Sequence, residues 1–137
     1  IKALEYATNS YFPSIKFTVF DRYFGTFTHL HHTYVSMHGK DGQFMKKPMP
    51  LNLNDSTSTF LRDWLDREGI YTDNIHIVKG DLHSNNLNSC RKFDYRNVLS
   101  LFGDSDYSQM NYVSNSYGVS YDLFIGDVRT IGTFENF

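Results

Sequence analysis

Two short runs of β-forming residues, each followed by glycine and polar side chains, constrain the fold of this chain most strongly. The first covers residues 33–42 and contains Met-His-Gly-Lys-Asp, and the second covers residues 75–86 and contains Lys-Gly-Asp-Leu-His. A helical pattern lies between them. The order strand, helix, strand implies a right-handed crossover between two parallel strands. We therefore expect both polar ends at the same edge of one sheet, where α/β proteins bind ligands.

The helix between the two runs is predicted to end near Glu68. Asn54 or Asp55 can cap its N-terminus, and Gly69 can end it. Its apolar residues recur at helical spacing and predict one buried stripe, formed by Phe60, Leu61, Trp64 and Leu65. The polar loop before it, residues 40–53, has a length that is uncommon unless a loop is functional.

Outside this unit the sequence predicts one further helix and four strands. The helix runs from Ile1 to Tyr11, because Pro13 disfavours helical backbone in the residue before it. The strands are predicted at residues 15–20, 98–102, 119–125 and 129–134, with loops at 84–94 and 104–116. The predicted fold class is α/β, a βαβ unit plus antiparallel strands, with residues 1–137 forming a single domain.

The composition is that of an ordered domain and limits its partners. Ten Tyr, twelve Phe and one Trp argue against disorder. The net charge of −2 provides no global basic field for nucleic acid. No apolar run could span a bilayer, no signal peptide is recognisable, and the single Cys90 excludes an internal disulfide. We expect a cytoplasmic protein without membrane contact. Because the chain begins at Ile1 and not Met, it is interpreted as a fragment, a processed chain or a partly recorded chain, and an oligomer or a missing N-terminal segment are the alternatives considered.

The end of the second run holds the best candidates for metal ligands. If the backbone is extended there, Asp81 and His83 point to the same face, and Gly80 permits a close approach to a ligand. His38 ends the first run. Two imidazoles and a carboxylate suit Mn, Fe or Zn, with support from the neighbouring amides Asn85 and Asn86. The structural alternatives are a turn at Asp81 and a strand-end histidine bonded to a backbone carbonyl.

The other histidines and one acidic segment carry weaker signals. His29, His31 and His32 are interpreted as a solvated loop, although such a cluster can bind metal. His76 lies within a predicted strand and is interpreted as a packed or edge residue. The acidic segment 104–106 lacks the full spacing of a calcium loop and is interpreted as a turn.

With these residues in place, the chain resembles the C-terminal half of a calcineurin-like metallophosphoesterase, in particular phage-encoded members related to the Mre11/SbcD nucleases. Residues 37–41 resemble the isolated histidine of that family, which ends a strand before a glycine. Residues 78–83 resemble its closing Gly-His-x-His motif, and residues 94–103 resemble the strand after that motif. The likeness covers residues 33–134.

The chain departs from the family pattern in two ways. Asp81 stands where the family usually has histidine, which would shift metal preference toward Mn or Mg. The Asp-x-His, Gly-Asp-x-x-Asp and Gly-Asn-His-Asp/Glu motifs of the family's N-terminal half are absent. The site of this chain alone would therefore lack its bridging carboxylate.

The resemblance implies a metal-dependent phosphoester hydrolase, a phosphoesterase or nuclease, that uses metal-bound hydroxide to attack phosphorus. Its catalytic metal ligands would be His38, Asp81 and His83, and Lys40 and Asn85 would contact the substrate or support the ligands. The expected cofactor is Mn, with Zn, Fe and Mg as alternatives. The expected partner is a phosphoester substrate, and nucleic acid is one such substrate. The expected location is the cytoplasm, which would be that of a host cell if the protein is phage-encoded.

Two other hypotheses stay open at this point. The first is a catalytically silent binding module that keeps the fold and presents aromatic side chains to a protein or nucleic-acid partner. The second is a small phage structural or assembly protein, which would form an oligomer.

Overall fold

The computed structural model describes residues 2–20, 22–38, 49–100 and 117–135. These residues form two helices and seven strands in two sheets: α1 (Lys2–Tyr11), β1 (Phe24–His29), β2 (His32–Met37), α2 (Asp55–Arg67), β3 (Asn74–Lys79), β4 (Asn86–Ser89), β5 (Phe93–Asn97), β6 (Gly118–Ile125) and β7 (Val128–Glu135). The predicted α/β class is confirmed. Within the described ranges, no helix is long and apolar enough to cross a membrane.

The larger sheet has five strands in the order β1-β2-β3-β5-β4. β3 pairs in parallel with both β2 and β5, whereas β1 and β4 are antiparallel to their neighbours. The predicted βαβ crossover from β2 through α2 to β3 is therefore confirmed. β6 and β7 form the second sheet, an antiparallel hairpin that turns at Gly126 with φ +59°.

The sequence pattern of α2 explains its limits and its buried face. The Asn54 side chain accepts a hydrogen bond from the backbone N–H of Thr57 at 2.9 Å, as expected of an N-cap. After the helix, Gly69 adopts φ +74°, a conformation that glycine tolerates best. The residues that α2 buries are Leu61, Trp64 and Leu65.

The main core lies between α2 and one face of the five-stranded sheet. Trp64 contacts Phe24 edge-on, with ring centroids 5.0 Å apart and an interplanar angle of 83°. Val35 and Ile77, on the two central parallel strands, have no exposed surface. This hydrophobic contact fixes β2 and β3 relative to α2 and so positions the ends of both strands.

The strand predicted at residues 15–20 is wrong, because side chains of α1 take its backbone hydrogen bonds. Asn9 bonds both the carbonyl and the N–H of Phe17, at 3.0 and 2.9 Å. Glu5 accepts a bond from the N–H of Val19 at 3.2 Å. The segment is irregular backbone tied to a helix and forms no strand.

The strand predicted at residues 98–102 is also misplaced, as is the loop predicted at 84–94. The sheet strand is β5, five residues earlier, and β4 lies inside the predicted loop. The predicted loop ended at Asp94, which is the second residue of β5. The charged side chains of Asp94 and Arg96 are accommodated in this strand because both make ion pairs under the hairpin. Residues 101 and 102 lie outside the described residues, as does the predicted turn at 104–106.

Buried polar side chains hold the irregular segment 49–52 against the carboxyl edge of the sheet. The Lys79 ammonium donates to the Met49 carbonyl at 3.2 Å, and the Tyr95 hydroxyl donates to the Pro50 carbonyl at 2.6 Å. Three asparagine amides, from Asn86, Asn88 and Asn97, each lie 3.1 Å from the Leu51 carbonyl. These side chains supply the partners that buried, irregular backbone requires.

Lys79 makes the stability of this arrangement depend on pH. Its side chain is fully buried, and burial lowers the pKa of its ammonium below 10.5, although Asp81 opposes the shift. The unfolded state then binds more protons than the folded state as the pH approaches 10.5. We expect the free energy of unfolding, measured with urea, to rise between roughly pH 8 and pH 10 in the wild type.

Lys79→Met should lose that rise, because it removes the titrating group. Lys16→Met, which changes an exposed lysine, is the matched control and should keep the wild-type pH profile. An equal rise in the Lys79→Met variant would contradict this account of Lys79.

Candidate functional site

The carboxyl ends of β2 and β3 lie side by side, as predicted. Met37 pairs with Lys79 in the parallel register, and the N–H of Gly80 donates to the Met37 carbonyl at 3.2 Å. His38 follows β2 and is exposed, whereas Asp81 and His83 follow β3 and are half-buried. The crossover therefore brings these two candidate loops to one edge of the sheet.

The loop after β3 does not have the extended backbone that the sequence predicted. Asp81 and His83 adopt φ values of 73° and 47°, and the N–H of Leu82 donates to the Gly80 carbonyl at 3.0 Å. Each such residue costs about 1 kcal/mol unless it is glycine, and aspartate tolerates the conformation better than most. Strand alternation therefore does not place Asp81 and His83 on a common face, and that part of the prediction is wrong.

Gly80 is not the residue that makes this turn possible. A Cβ atom at Gly80 would meet nothing nearer than the carbonyl oxygen of His38, at 4.0 Å, which is an ordinary contact. The left-handed conformations fall on Asp81 and His83 instead. The sequence predicted that a ligand could approach the backbone at Gly80, but the group that lies close to this backbone is the end of β2, where the Met37 carbonyl accepts from the Gly80 N–H.

The residues that the structure describes contain no group of three or more His, Cys, Asp or Glu side chains placed to hold a metal ion. His38, Asp81 and His83 share a sheet edge without forming such a group among these residues. They do not fit a metal centre by themselves, and their assignment as catalytic ligands stays a prediction. Lys40 lies outside the described residues.

The two asparagines expected to support the metal ligands contact other elements. The Asn85 amide donates to Thr133 Oγ1 at 3.0 Å and to Glu135 Oε1 at 3.3 Å, both on β7. The Asn86 amide donates to the Leu51 carbonyl and to Asn52 Oδ1. In this structure both side chains tie the loop after β3 to its neighbours.

A more elaborate polar site lies on the other face of the sheet, where the β6–β7 hairpin packs. The hairpin turns polar side chains, among them Ser120, Asp122 and Arg129, toward the sheet. Its apolar face is exposed instead: Val119, Tyr121, Leu123 and Ile125 retain 39, 39, 50 and 71% of their accessible surface. We call the buried polar residues between the sheets the interlayer network, which comprises His32, Tyr34, His76, Asp94, Arg96, Asp122 and Arg129.

Asp122 is the acceptor at the centre of the interlayer network. Arg96 Nη1 donates to its Oδ1 at 2.7 Å, and Arg129 Nε donates to its Oδ2 at 2.7 Å. The Tyr34 hydroxyl also donates to Oδ2. Burial disfavours the charged carboxylate, but these hydrogen bonds outweigh it and lower the pKa of Asp122 below its usual range.

Asp94 extends the network toward two histidines. Arg129 Nη1 donates to Asp94 Oδ2 at 2.6 Å, and His76 Nδ1 lies 2.8 Å from the same oxygen. His76 Nε2 is 2.7 Å from His32 Nδ1, a distance at which the two nitrogens can share only one proton. Burial opposes ionisation of Asp94, but the bonds from His76 and Arg129 prevail and lower its pKa.

The interlayer network also shifts the pKa values of two uncharged members, Tyr34 and His32. Burial and the bond to Asp122 raise the pKa of Tyr34 to about 12, so its hydroxyl stays a donor at neutral pH. Burial lowers the pKa of His32 below 6.5, and the nearby His76 and Arg129 act in the same direction. Both side chains are therefore neutral at pH 7.

A cleft of about 390 Å³ opens between the sheets next to the network. Its lining combines aromatic side chains with a few polar ones: Phe27, His29, Tyr34, Ser36, Val78, Arg96, Ser120, Tyr121, Asp122 and Phe124. Two buried lining atoms, Arg96 Nε and Ser120 Oγ, have no hydrogen-bond partner within the described residues.

Few features of the sequence indicated this site. His29 and His32 lie in strands, so the predicted loop is wrong for both, although His29 is exposed as expected. Both rings contact Phe124 edge-on, and His31 is the one of the three that occupies the turn. His76 is packed, as predicted, with 6% of its surface exposed. The useful signal was the alternation of Asp94 and Arg96 with aromatic residues in β5, which predicts a strand with a polar buried face.

His32 should make stability fall in mild acid. Because its pKa is lower in the folded state, the unfolded state binds more protons as the pH falls below 6.5. We expect the free energy of unfolding, from urea titrations, to decrease between roughly pH 7 and pH 5, and to decrease less in His32→Gln. His31→Gln, in the exposed turn, is the control and should lose as much free energy of unfolding in acid as the wild type does. If His31→Gln reduced this loss as much as His32→Gln does, His32 would not be its source.

Comparisons with known proteins give a distant structural likeness. No protein-family model matches the chain, and no curated protein matches it. The structure of vacuolar protein sorting 29 from Cryptosporidium parvum is similar at 14% sequence identity and a TM-score of 0.43. The match covers 83% of this chain, and the chain spans 56% of that protein's length. A likeness of this size does not establish family membership.

Proposed function

We propose that this chain is a binding domain that takes a small ligand into the cleft between its two sheets. The observation that carries the proposal is the combination of a 390 Å³ concave space and a lining of aromatic side chains with a few polar ones. Ligand sites are typically concave, mostly apolar and equipped with a few oriented polar groups. Like the catalytically silent module considered from the sequence, it is a binding function, but the ligand is a small molecule and not a protein or nucleic acid.

The interlayer network gives the cleft a rigid polar wall. Arg96 is 5% exposed and is held by its bond to Asp122, which in turn is held by Arg129 and Tyr34. A charged hydrogen bond restricts the rotation of both partners, so the side chains of Arg96 and Asp122 beside the cleft are oriented before a ligand arrives.

The test is to fill the cleft and measure binding of small aromatic probes. Toluene, benzamide and benzoate are titrated separately and followed by amide NMR shifts of cleft residues. We expect at least one probe to bind, and Ser120→Trp to weaken it by roughly tenfold or more, because the indole ring occupies the same space.

Two further variants keep this test decisive. Ser36→Trp fills the cleft from an exposed position and should act like Ser120→Trp without the risk of misfolding, and Thr130→Trp, on the outer face of the hairpin, should bind as the wild type does. Unchanged binding in Ser36→Trp, or no probe that shifts cleft signals, would refute the proposal.

Metal-dependent phosphoester hydrolysis is the second candidate function, and one observation favours it. β2 and β3 end together, which brings His38 and the loop of Asp81 and His83 to the sheet edge that commonly binds ligands. The described residues do not complete a metal group there. This candidate therefore requires that other groups join these three residues.

This second candidate is tested by measuring Mn²⁺ binding by calorimetry and hydrolysis of bis(p-nitrophenyl) phosphate with added Mn²⁺. Asp81→Asn combined with His83→Asn removes a carboxylate and an imidazole while keeping residues that tolerate positive φ. If the candidate is correct, the double variant loses bound Mn²⁺ and hydrolysis, and Asp73→Asn, exposed before β3, loses neither. Equal Mn²⁺ binding in both variants would exclude it.

A further inference from the structure

We propose that a hollow between α2 and the turn from β4 to β5 binds a phosphate group, either free or carried by a small molecule. The hollow has a volume of about 440 Å³ and shares no lining residue with the cleft. We call it the basic hollow, and its lining residues are Asp55, Ser58, Thr59, Arg62, Cys90, Arg91, Lys92 and Phe93. The proposal is independent of the function proposed for the cleft.

The apolar core holds the main chain on both sides of the basic hollow. On one side lies the N-terminal part of α2, a helix that buries Leu61 and Trp64. On the other side, the N–H of Cys90 donates to the Phe93 carbonyl at 2.9 Å and closes the turn between β4 and β5. Phe93 belongs to the core, and Cys90 packs against it. Both walls of the hollow therefore exist before a ligand binds.

The lining carries an excess of positive charge on a chain whose net charge is −2. Three of its residues are cations, Arg62, Arg91 and Lys92, and one is an anion, Asp55. Arg91 and Lys92 also line two smaller hollows, but each of these contains two aspartates and so has no such excess. Among these three neighbouring spaces, the field therefore favours an anion in the basic hollow.

The cations of the basic hollow are available to a ligand. Among the described residues, none forms an ion pair with Arg91. Arg62 lies 3.9 Å from Asp63, and these side chains are 47 and 64% exposed. Lys92 lies 3.4 Å from Asp66, with 52 and 45% exposed. Such exposed pairs contribute little to stability, so a bound anion can compete for both cations.

A phosphate group matches this lining better than a carboxylate does. A phosphate monoester has a charge of about −1.5 to −2 at neutral pH and three oxygens that accept hydrogen bonds strongly. The guanidinium groups of Arg62 and Arg91 can each donate two parallel hydrogen bonds to phosphate oxygens. The Ser58 and Thr59 hydroxyls, which line the same space, are further donors. A carboxylate has one charge and two oxygens and would engage fewer of these groups.

The experiment compares glycerol 3-phosphate, glycerate and glycerol, which share a three-carbon skeleton and carry a phosphate, a carboxylate and no charge. Each is titrated into the wild-type chain at pH 7, with EDTA present so that no metal ion mediates binding, and amide NMR shifts of the lining residues are followed. We expect glycerol 3-phosphate to bind roughly tenfold more tightly than glycerate, because it makes further charged hydrogen bonds. Glycerol should not bind.

Inorganic phosphate, titrated in the same way, distinguishes the two sources of the group. Binding as tight as that of glycerol 3-phosphate would assign the basic hollow to the free ion. Weaker binding would assign it to a phosphorylated molecule that also uses the remaining volume of the hollow. Both results support the recognition of phosphate.

Substitutions of exposed arginines locate the binding. Arg91→Gln and Arg62→Gln should each weaken glycerol 3-phosphate roughly tenfold, because each removes a charged donor. Arg91→Lys keeps the charge but loses the paired donors and should weaken it severalfold. Arg67→Gln, in the last turn of α2, removes the same charge outside the hollow and is the matched control. It should bind as the wild type does.

Three results would overturn the proposal. If glycerol 3-phosphate shifts no signals of the lining residues, the hollow is not a phosphate site. If glycerate binds as tightly, the hollow attracts any anion and does not recognise phosphate. If Arg67→Gln weakens binding as much as Arg91→Gln does, the overall field of the chain, and not the hollow, is responsible. None of these results affects the function proposed for the cleft, whose residues lie elsewhere.

Discussion

The carboxylate of Asp122 holds the two sheets of this protein together. Its donors come from three strands: Tyr34 on β2, Arg96 on β5 and Arg129 on β7. The side chains of Asp122, Arg96 and Arg129 are less than 10% exposed, so each charge depends on its partners for compensation. A one-residue shift in the hairpin would turn Asp122 outward and leave two guanidinium groups without it. The ionic contact therefore specifies the register of the hairpin on the sheet.

This contact also explains why the hairpin shows an apolar face to its surroundings. Side chains alternate along β6, so burying Asp122 forces Val119, Tyr121, Leu123 and Ile125 to the other face. Hydrophobic burial alone would favour the opposite orientation, and the polar contacts must outweigh it. Tyr121 recovers part of the loss by stacking on Phe134, with centroids 5.2 Å apart, over the space that Gly132 leaves open.

The elements predictable from sequence are those whose signals are local. α1, α2, the β6–β7 hairpin and the βαβ order follow from caps, periodicity and turn residues, and the structure has them all. The segment at 15–20 and the strand β5 depend on distant partners: the former on Asn9 and Glu5, the latter on Arg129 and Asp122. Residue propensity carries no information about such distant partners. On that basis residues 15–20 were wrongly predicted as a strand and β5 was not predicted, although the family resemblance suggested a strand from residue 94.

The same division applies to the candidate sites. That His38 and the loop after β3 share an edge follows from strand order alone, and it could be predicted. The left-handed backbone at Asp81 and His83 could not, because β-rich residues before a glycine give no sign of it. The cleft was missed because its residues come from β1, β2, β3, β5 and β6 and resemble no motif in the sequence.

The two faces of the five-stranded sheet are held by different forces, and this decides which part of the molecule can respond to its surroundings. On one face, Val35, Ile77 and Leu61 are completely buried in an apolar core that the hydrophobic effect holds together. On the other face, the hairpin docks through charged groups, in the ion pairs of Arg129 with Asp94 and of Asp122 with Arg96. Because β3 turns Ile77 to one face and His76 to the other, the charged contacts of the hairpin and the apolar packing of α2 lie on opposite sides of the same strand. The cleft exists only while the hairpin is docked, so its shape depends on the charge of the network beside it.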